Sequence, residues 1–326
     1  MNPVRIGFVG AGGIANAHAE ALAKVPDAKI VGVTDVSSAA AEKLADKVGA
    51  QVFDSAADLG KSGLDALFIL LPPFAHGEAE RAALDNNLPF FVEKPLGLDL
   101  GFCNEIAAEA GRKGLMTSSG YMNRYRQSIQ TARQLLQEEP GIMSYGGWWG
   151  GTPGGGGHWW PDKSKSGGQF HEQVTHTVDV ARYLLGEAVE VYAAAAHGFV
   201  KDLPGYSMDD AASVTIRFAN GAVATLMSSV TSNACGGVFL NLHSMNRTFR
   251  FRDWEHSLTL LAKGQETREI PGEPDIFSIE DAAFVKAVQT KDPSGIKSDY
   301  ADGVKTAAIS LAANESIATG KPVSLV

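Results

Sequence analysis

The segment "VRIGFVGAGGIANAHAEALAKV" (residues 4–25) constrains the fold more than any other part of the chain. A short apolar run, Val4 to Val9, gives way to glycines and then, from Ile14, to helical spacing. A strand that turns through glycines directly into a helix opens a βαβ unit, because parallel strands need a crossover. The pattern Gly10-x-Gly12-x-x-Ala15 has the form G-x-G-x-x-G/A. Gly10 permits the tight turn, Gly12 lets backbone approach a pyrophosphate, and small Ala15 lets the helix pack close to the strand. Gly13 and Ile14 then present the unpaired N–H groups of a helix start to the phosphates. A second strand, "KIVGVTD", ends in Asp35, 20 residues beyond Ala15, where an acid can hydrogen-bond a ribose diol. Val36, Ser37 and Ser38 follow, with no Arg or Lys to meet a 2′-phosphate, so NAD is expected rather than NADP.

The alternation continues through "LDALFILLPP", a helix over His76–Asn87, "PFFVEKPLG", the helix "FCNEIAAEAGRKG" and the strand "MTSSGYMNRY". This order predicts a doubly wound parallel sheet, with ligands at the carboxyl ends of its strands. Asp35, Leu71-Pro72-Pro73 with His76, Glu93-Lys94-Pro95 and Tyr121–Asn123 fall at such ends. From Arg124 the pattern changes. Strand-like runs such as "ASVTIRFA" and "AVATLMSSV" follow one another, with the hairpin signal Asn220-Gly221 between them. The expected division is a dinucleotide-binding domain over 1–123 and an α+β domain with an open, mainly antiparallel sheet over 124–326.

Composition narrows the partners. The formal net charge of −9 argues against nucleic acid and anionic membrane. Cys103 and Cys235 have no CxxC or zinc spacing, so neither a disulfide framework nor structural zinc is expected. The sequence shows no signal-peptide pattern and no apolar run long enough for a bilayer, so a cytoplasmic location is expected.

One helix of the second half carries chemistry. In "HEQVTHTVDVARYLL", Val174, Val178, Ala181 and Leu185 form an apolar stripe, and Glu172, His176, Asp179 and Tyr183 lie opposite. Glu172 and His176 are therefore expected to be neighbours one turn apart. A zincin needs histidines at i and i+4; His171 and His176 are five apart, so no catalytic metal is expected.

The glycine motif, the Pro-Pro strand end with His76, "VEKPLG", "SGGQFHEQVTHTVDVARYLLG" and the C-terminal "GVKTAAISLAANESIATGKPVSL" together resemble the Gfo/Idh/MocA family of glucose-fructose oxidoreductase and inositol dehydrogenase-like enzymes. The resemblance spans nearly the whole chain. It implies a Rossmann domain, then a substrate domain whose sheet face mediates homodimers or homotetramers. It also implies NAD(P)-dependent oxidation or reduction of sugars, cyclitols and related polyols. By position, Lys94 matches the active-site lysine and His176 the catalytic histidine. Glu172 stands where the family often has aspartate, one methylene shorter.

The reaction expected is hydride transfer between a carbinol carbon and nicotinamide. His176 would serve as base, Lys94 would stabilise charge on the same oxygen, and Glu172 would accept from a second hydroxyl or orient the base. Tyr121, Asn123, Arg124, Lys165 and Asp179 are further contact candidates for cofactor or substrate. The stretch "WWGGTPGGGGHWW" (Trp148–Trp160) is read as a ligand-covering loop, with Trp159 or Trp160 lining the site and Trp148 or Trp149 structural. Two alternatives stay open: an NAD-dependent glycoside hydrolase or eliminase using transient oxidation, and a non-catalytic dinucleotide sensor.

Overall fold

The computed structural model describes residues 2–153 and 158–326. The chain divides into two compact units, Met1–Met122 with Asp275–Val304, and Asn123–Pro274 with Lys305–Val326.

In the first unit, strands β1 (Val4–Val9), β2 (Ala28–Thr34), β3 (Gln51–Val52), β4 (Ala66–Ile69), β5 (Phe90–Val92) and β6 (Thr117–Ser119) form one sheet in the order β3-β2-β1-β4-β5-β6. Every pairing is parallel. The crossovers carry helices α1 (Gly13–Leu22), α2 (Ser38–Val48), α3 (Ala56–Gly60), α4 (Glu78–Asp85) and α5 (Leu100–Lys113). Strands β4 and β5 are apolar and buried throughout because helices cover both faces of such a sheet. Phe68 and Phe91 stack at 4.9 Å in that core, and Phe8 lies 5.6 Å from Phe68.

Residues 275–304 differ from the expected division at 123/124. They cluster with the first unit through α10 (Ile276–Thr290), whose Phe284 and Val285 enter the same core. Apolar burial decides this, since Phe284 lies edge-on to Phe68 at 5.5 Å.

A charged cluster is buried beside those rings. His18, on α1, is fully buried. Its Nδ1 lies 2.9 and 3.1 Å from the Asp281 carboxylate oxygens, and its Nε2 lies 3.0 Å from Glu93 Oε1. A neutral imidazole has a single N–H, so carboxylates at both nitrogens call for the imidazolium. Burial alone would lower its pKa, but the Asp281 and Glu93 carboxylates outweigh it and raise His18 to about 10. Burial pushes Asp281 up, as expected where two acids share one cation. The His18 contribution to stability is therefore complete below pH 6.5 and is lost as pH rises through about 10. Guanidinium unfolding midpoints across that interval should fall, and His18→Gln should flatten the fall.

The second unit holds α6 (Gln127–Glu138), α7 (Lys163–Ser166), α8 (Gln169–Glu172), α9 (Thr175–Leu185) and part of α11 (Tyr300–Thr319), within which the unit boundary falls. Its strands are β7 (Met143–Trp149), β8 (Ala188–Ala196), β9 (Ala211–Phe218), β10 (Val223–Ser229), β11 (Gly237–His243), β12 (Arg247–Arg252), β13 (Ser257–Ala262), β14 (Arg268–Ile270) and β15 (Val323–Ser324). They form one sheet, β14-β13-β12-β11-β7-β10-β9-β8-β15, antiparallel except where β10 runs parallel to β7. Asn220-Gly221 closes the β9–β10 hairpin, with Gly221 at φ 86°. Alternation puts Val214, Ile216, Ala224 and Leu226 under α6, α9 and α11, and leaves Met143, Tyr145, Tyr192 and Met227 exposed. No helix among the described residues is long and apolar enough to cross a membrane.

Candidate active site

The first unit builds its part of the site at the β1–α1 turn. Gly10 has φ 107°, and a Cβ there would fall 2.3 Å from the Leu70 carbonyl oxygen, so only glycine fits. At Gly12 and Gly13 a Cβ would meet nothing within 4 Å, so the start of α1 faces open space. Gly12 is its N-cap and supplies no side-chain acceptor, which leaves the first N–H groups available to an anion. Asp35 accepts from the Ala11 N–H at 2.7 Å and from the Ser37 N–H at 2.8 Å. The acid therefore braces the glycine turn as well as ending β2. Val36 next to it is wholly exposed. These residues fit a dinucleotide. Gly10, Gly12, Gly13 and Ile14 would receive the pyrophosphate, and Asp35 the adenosine ribose. Asp35→Ala should weaken NAD by roughly 1.5–3 kcal/mol, because it removes charged hydrogen bonds; fluorescence titration of NAD checks this.

The other strand ends of this unit are more enclosed. His76 is buried, and its Nδ1 contacts Glu80 Oε1 at 2.5 Å. Burial would raise Glu80, but the His76 contact and the Gly77 N–H hold it below the usual carboxylate range. Pro73 is buried, and Leu71 and Pro72 are half-buried. Glu93, read from the sequence as a cofactor contact, turns its carboxylate inward to His18 and to the Lys94 N–H at 2.9 Å. Lys94 is half-buried and Tyr121 buried.

The second unit centres on His176. It is 5% exposed on α9 and flanked by two indoles, Trp148 at 6.3 Å and Trp254 at 5.6 Å, the latter edge-on. The two tryptophans also touch, at 5.3 Å. Trp254 is fixed from behind, where its carbonyl accepts from Arg126 Nη2 at 3.0 Å and from His256 Nδ1–H at 3.0 Å. Burial pushes His256 down to about 4, which keeps it a neutral donor.

Glu172 sits differently from the expected continuous helix. It ends α8, and α9 begins at Thr175. The Val174 N–H reaches back five residues to Gln169, while the His176 N–H reaches only three, to Gln173. That change of register interrupts the regular helix between Glu172 and His176, although Gln173 and Val174 keep right-handed helical backbone. The apolar stripe holds, with Val174, Val178, Ala181 and Leu185 buried. The opposite side is buried too: Asp179 is 1% exposed and pairs with Arg124 at 2.5 and 2.8 Å, and Tyr183 lies under the Arg124 guanidinium.

Trp160 Nε1–H donates to Glu172 Oε2 at 2.6 Å. Trp160 and Trp148 both line a cavity of about 480 Å³, together with His158, Pro161, Gln169 and Gln173. Gln169 is 3% exposed, and its Oε1 has no hydrogen-bond partner among the described residues. Trp159 stacks on His158, and Trp149 packs against Phe239. Trp148, one of the pair expected to be structural, thus lies beside His176. Gly154–Gly157 of the expected covering loop lie outside the described residues. Lys165 is half exposed near Asp162, and Lys163 binds Asp209 at 2.7 Å. Asn123 is buried and accepts from Arg126 Nε at 2.7 Å. No cluster of metal-ligating side chains occurs among the described residues.

Sequence reasoning passed over Trp254, Gln169 and His18. Trp254 had one local signal, a lone aromatic in a turn between two strands, where Asp253 and His256 take positive φ.

Two family models match this chain, "Oxidoreductase family, NAD-binding Rossmann fold" over residues 4–121 and "GFO/IDH/MocA C-terminal domain" over 141–244. The chain belongs to the Gfo/Idh/MocA oxidoreductase family. The scyllo-inositol 2-dehydrogenase (NAD(+)) of Bacillus subtilis (strain 168) is 29% identical, over 99% of this chain and 96% of that protein. An inositol 2-dehydrogenase of Rhizobium meliloti (strain 1021) is 29% identical, over 69% of this chain and 68% of the relative. Levoglucosan dehydrogenase, solved with NADH and L-sorbose, superposes with a TM-score of 0.89 at 20% identity and covers 100% of both chains, a likeness of fold. As a Gfo/Idh/MocA member the chain has an NAD-binding Rossmann unit.

Proposed function

We propose that this protein is an NAD-dependent oxidoreductase that moves a hydride between nicotinamide and a carbinol carbon of a sugar, cyclitol or related polyol. The observation that carries the reading is His176, buried against two indoles in the unit where Glu172 and a cavity edged by Gln169 and Gln173 also lie. Bound NAD supplies the hydride acceptor. His176 takes the proton of the carbinol hydroxyl, a role suited to imidazole near neutral pH. Lys94 donates to the same oxygen and stabilises the charge that develops as that proton leaves. The indole walls exclude water from the base, which strengthens these interactions.

Glu172 accepts from a neighbouring hydroxyl, and its hydrogen bond from Trp160 fixes the carboxylate for that contact. The faces of Trp148 and Trp160 suit the C–H faces of a sugar ring. Gln169 Oε1 takes a further hydroxyl, which satisfies a buried acceptor. A polyol meets this set because it presents several hydroxyls around an apolar ring edge. The inositol dehydrogenases among the relatives support including cyclitols.

The test is absorbance at 340 nm with NAD, and separately NADP, across sugars, inositols and their keto forms. A sugar-dependent rise with NAD that is lost in His176→Asn supports the reading. A blank panel with chromogenic glycosides cleaved and no net NADH overturns it in favour of transient oxidation.

The same reading includes assembly through the open face of the second unit's sheet. Met143, Tyr145, Tyr192 and Met227 are each about 40% exposed on that face, a scatter of large apolar side chains that assembly would cover. Light scattering that gives a dimer or tetramer mass, and a lower mass for Tyr145→Glu/Met227→Glu, checks it.

A further inference from the structure

The buried cluster of His18, Asp281 and Glu93 is not used by the chemistry above, yet it ends at the active-site lysine. Three elements meet in it: α1 brings His18, α10 brings Asp281, and the chain leaving β5 brings Glu93. Phe91 and Phe277 pack edge-on against the imidazole at 5.2 and 5.3 Å, so no water competes with its partners. Glu93 divides its two oxygens. Oε1 faces His18 Nε2 at 3.0 Å, and Oε2 accepts the Lys94 backbone N–H at 2.9 Å. The space for this carboxylate depends on Gly120, where a Cβ would fall 2.8 Å from Glu93 Oε1.

We propose that His18 is a positioning residue for Lys94: held between Asp281 and Glu93, it fixes the carboxylate that carries the Lys94 N–H, and so ties the lysine to the helix that begins at the glycine turn. This rests on the reading of Lys94 as an active-site group. The physical reason is directional. A carboxylate beside an apolar core can rotate its oxygens, and the imidazole is a charged donor that holds Oε1 inward. With Oε1 fixed, Oε2 is aimed at the backbone of the next residue. With the donor gone, two acids lie buried without a cation, and Glu93 must turn away or take up a proton. Either change releases the backbone of Lys94 while leaving its side chain chemically intact. The result is a misplaced lysine, the kind of small displacement that slows chemistry without abolishing binding.

The experiment compares His18→Gln and Asp281→Asn with the native enzyme, and uses Lys94→Ala as the reference. Four quantities are measured: NAD affinity by fluorescence, thermal midpoint, kcat per NAD-binding site, and the deuterium isotope effect with sugar labelled at the oxidised carbon. The expected result for His18→Gln is NAD binding within about threefold of native, kcat per site down roughly 10- to 100-fold, and a larger isotope effect, because misplacement slows the chemical step. Asp281→Asn keeps the His18–Glu93 contact and should show a smaller change in the same direction. A purely structural role would lower the midpoint but leave kcat per site and the isotope effect at native values in both variants, and that overturns the proposal. Should His18→Gln fail to fold, Asp281→Asn decides alone, with native kcat and isotope effect again overturning it. If Lys94→Ala keeps native turnover, the reading of the lysine itself fails, whatever the His18 variants show.

Discussion

Replacing His176 with asparagine should lower kcat/KM for the sugar by roughly 10²- to 10⁴-fold, the usual contribution of a positioned general base. NAD affinity should stay at its native value, because the glycine turn and Asp35 belong to the other unit. Asparagine suits the test because it is polar and smaller than imidazole, so it fits against Trp148 and Trp254 without forcing either ring. It cannot take a proton from a carbinol near neutral pH. Steady-state rates at 340 nm and a fluorescence titration with NAD separate the two effects. A loss below about tenfold would remove His176 from the proton-transfer step. The hydroxyl would then lose its proton to another group, and Glu172 would be the first to test.

Much of this architecture could be read from the chain, and the reason is local. Strands β1, β2, β4 and β5 of the first unit are short, mainly apolar runs, each followed by a change to helical spacing, and Gly10, Gly12 and Asp35 sit at fixed offsets from them. Apart from the crossover from β3 to β4, consecutive strands pair there, so pattern carries most of the topology. The features that were not legible depend on distant partners. His18 looks like a core position on an amphipathic helix, and its partner Asp281 is 263 residues away. The return of residues 275–304 to the first unit depends on where Phe284 finds a core, which no local pattern states. The break between α8 and α9 has no glycine or proline at Gln173 or Val174, and the apolar repeat runs straight through it. Trp254 reaches His176 only because a hairpin folds it back, anchored by Arg126 and His256.

Arg124 and Asp179 separate a structural role from a substrate role most sharply. From the sequence both are substrate candidates, at a strand end and on the polar side of α9. In the fold they are 2% and 1% exposed and joined by two hydrogen bonds, and Thr306 Oγ1 donates to Asp179 at 2.8 Å. The Arg124 guanidinium also lies 4.7 Å over the Tyr183 ring. Arg124→Met should therefore destabilise the protein by roughly 3–5 kcal/mol, since it leaves the Asp179 charge buried and unpaired. The double variant Arg124→Met/Asp179→Leu should recover most of that loss, because an apolar pair of similar volume has no charge to desolvate. Urea unfolding of the three proteins measures both steps. A substrate role predicts the reverse, with the unfolding midpoint of Arg124→Met at the native value, a raised KM for sugar, and no recovery of KM in the double variant. Recovery of stability in the double variant with a native KM would assign this pair to holding α9, and hence His176, in place.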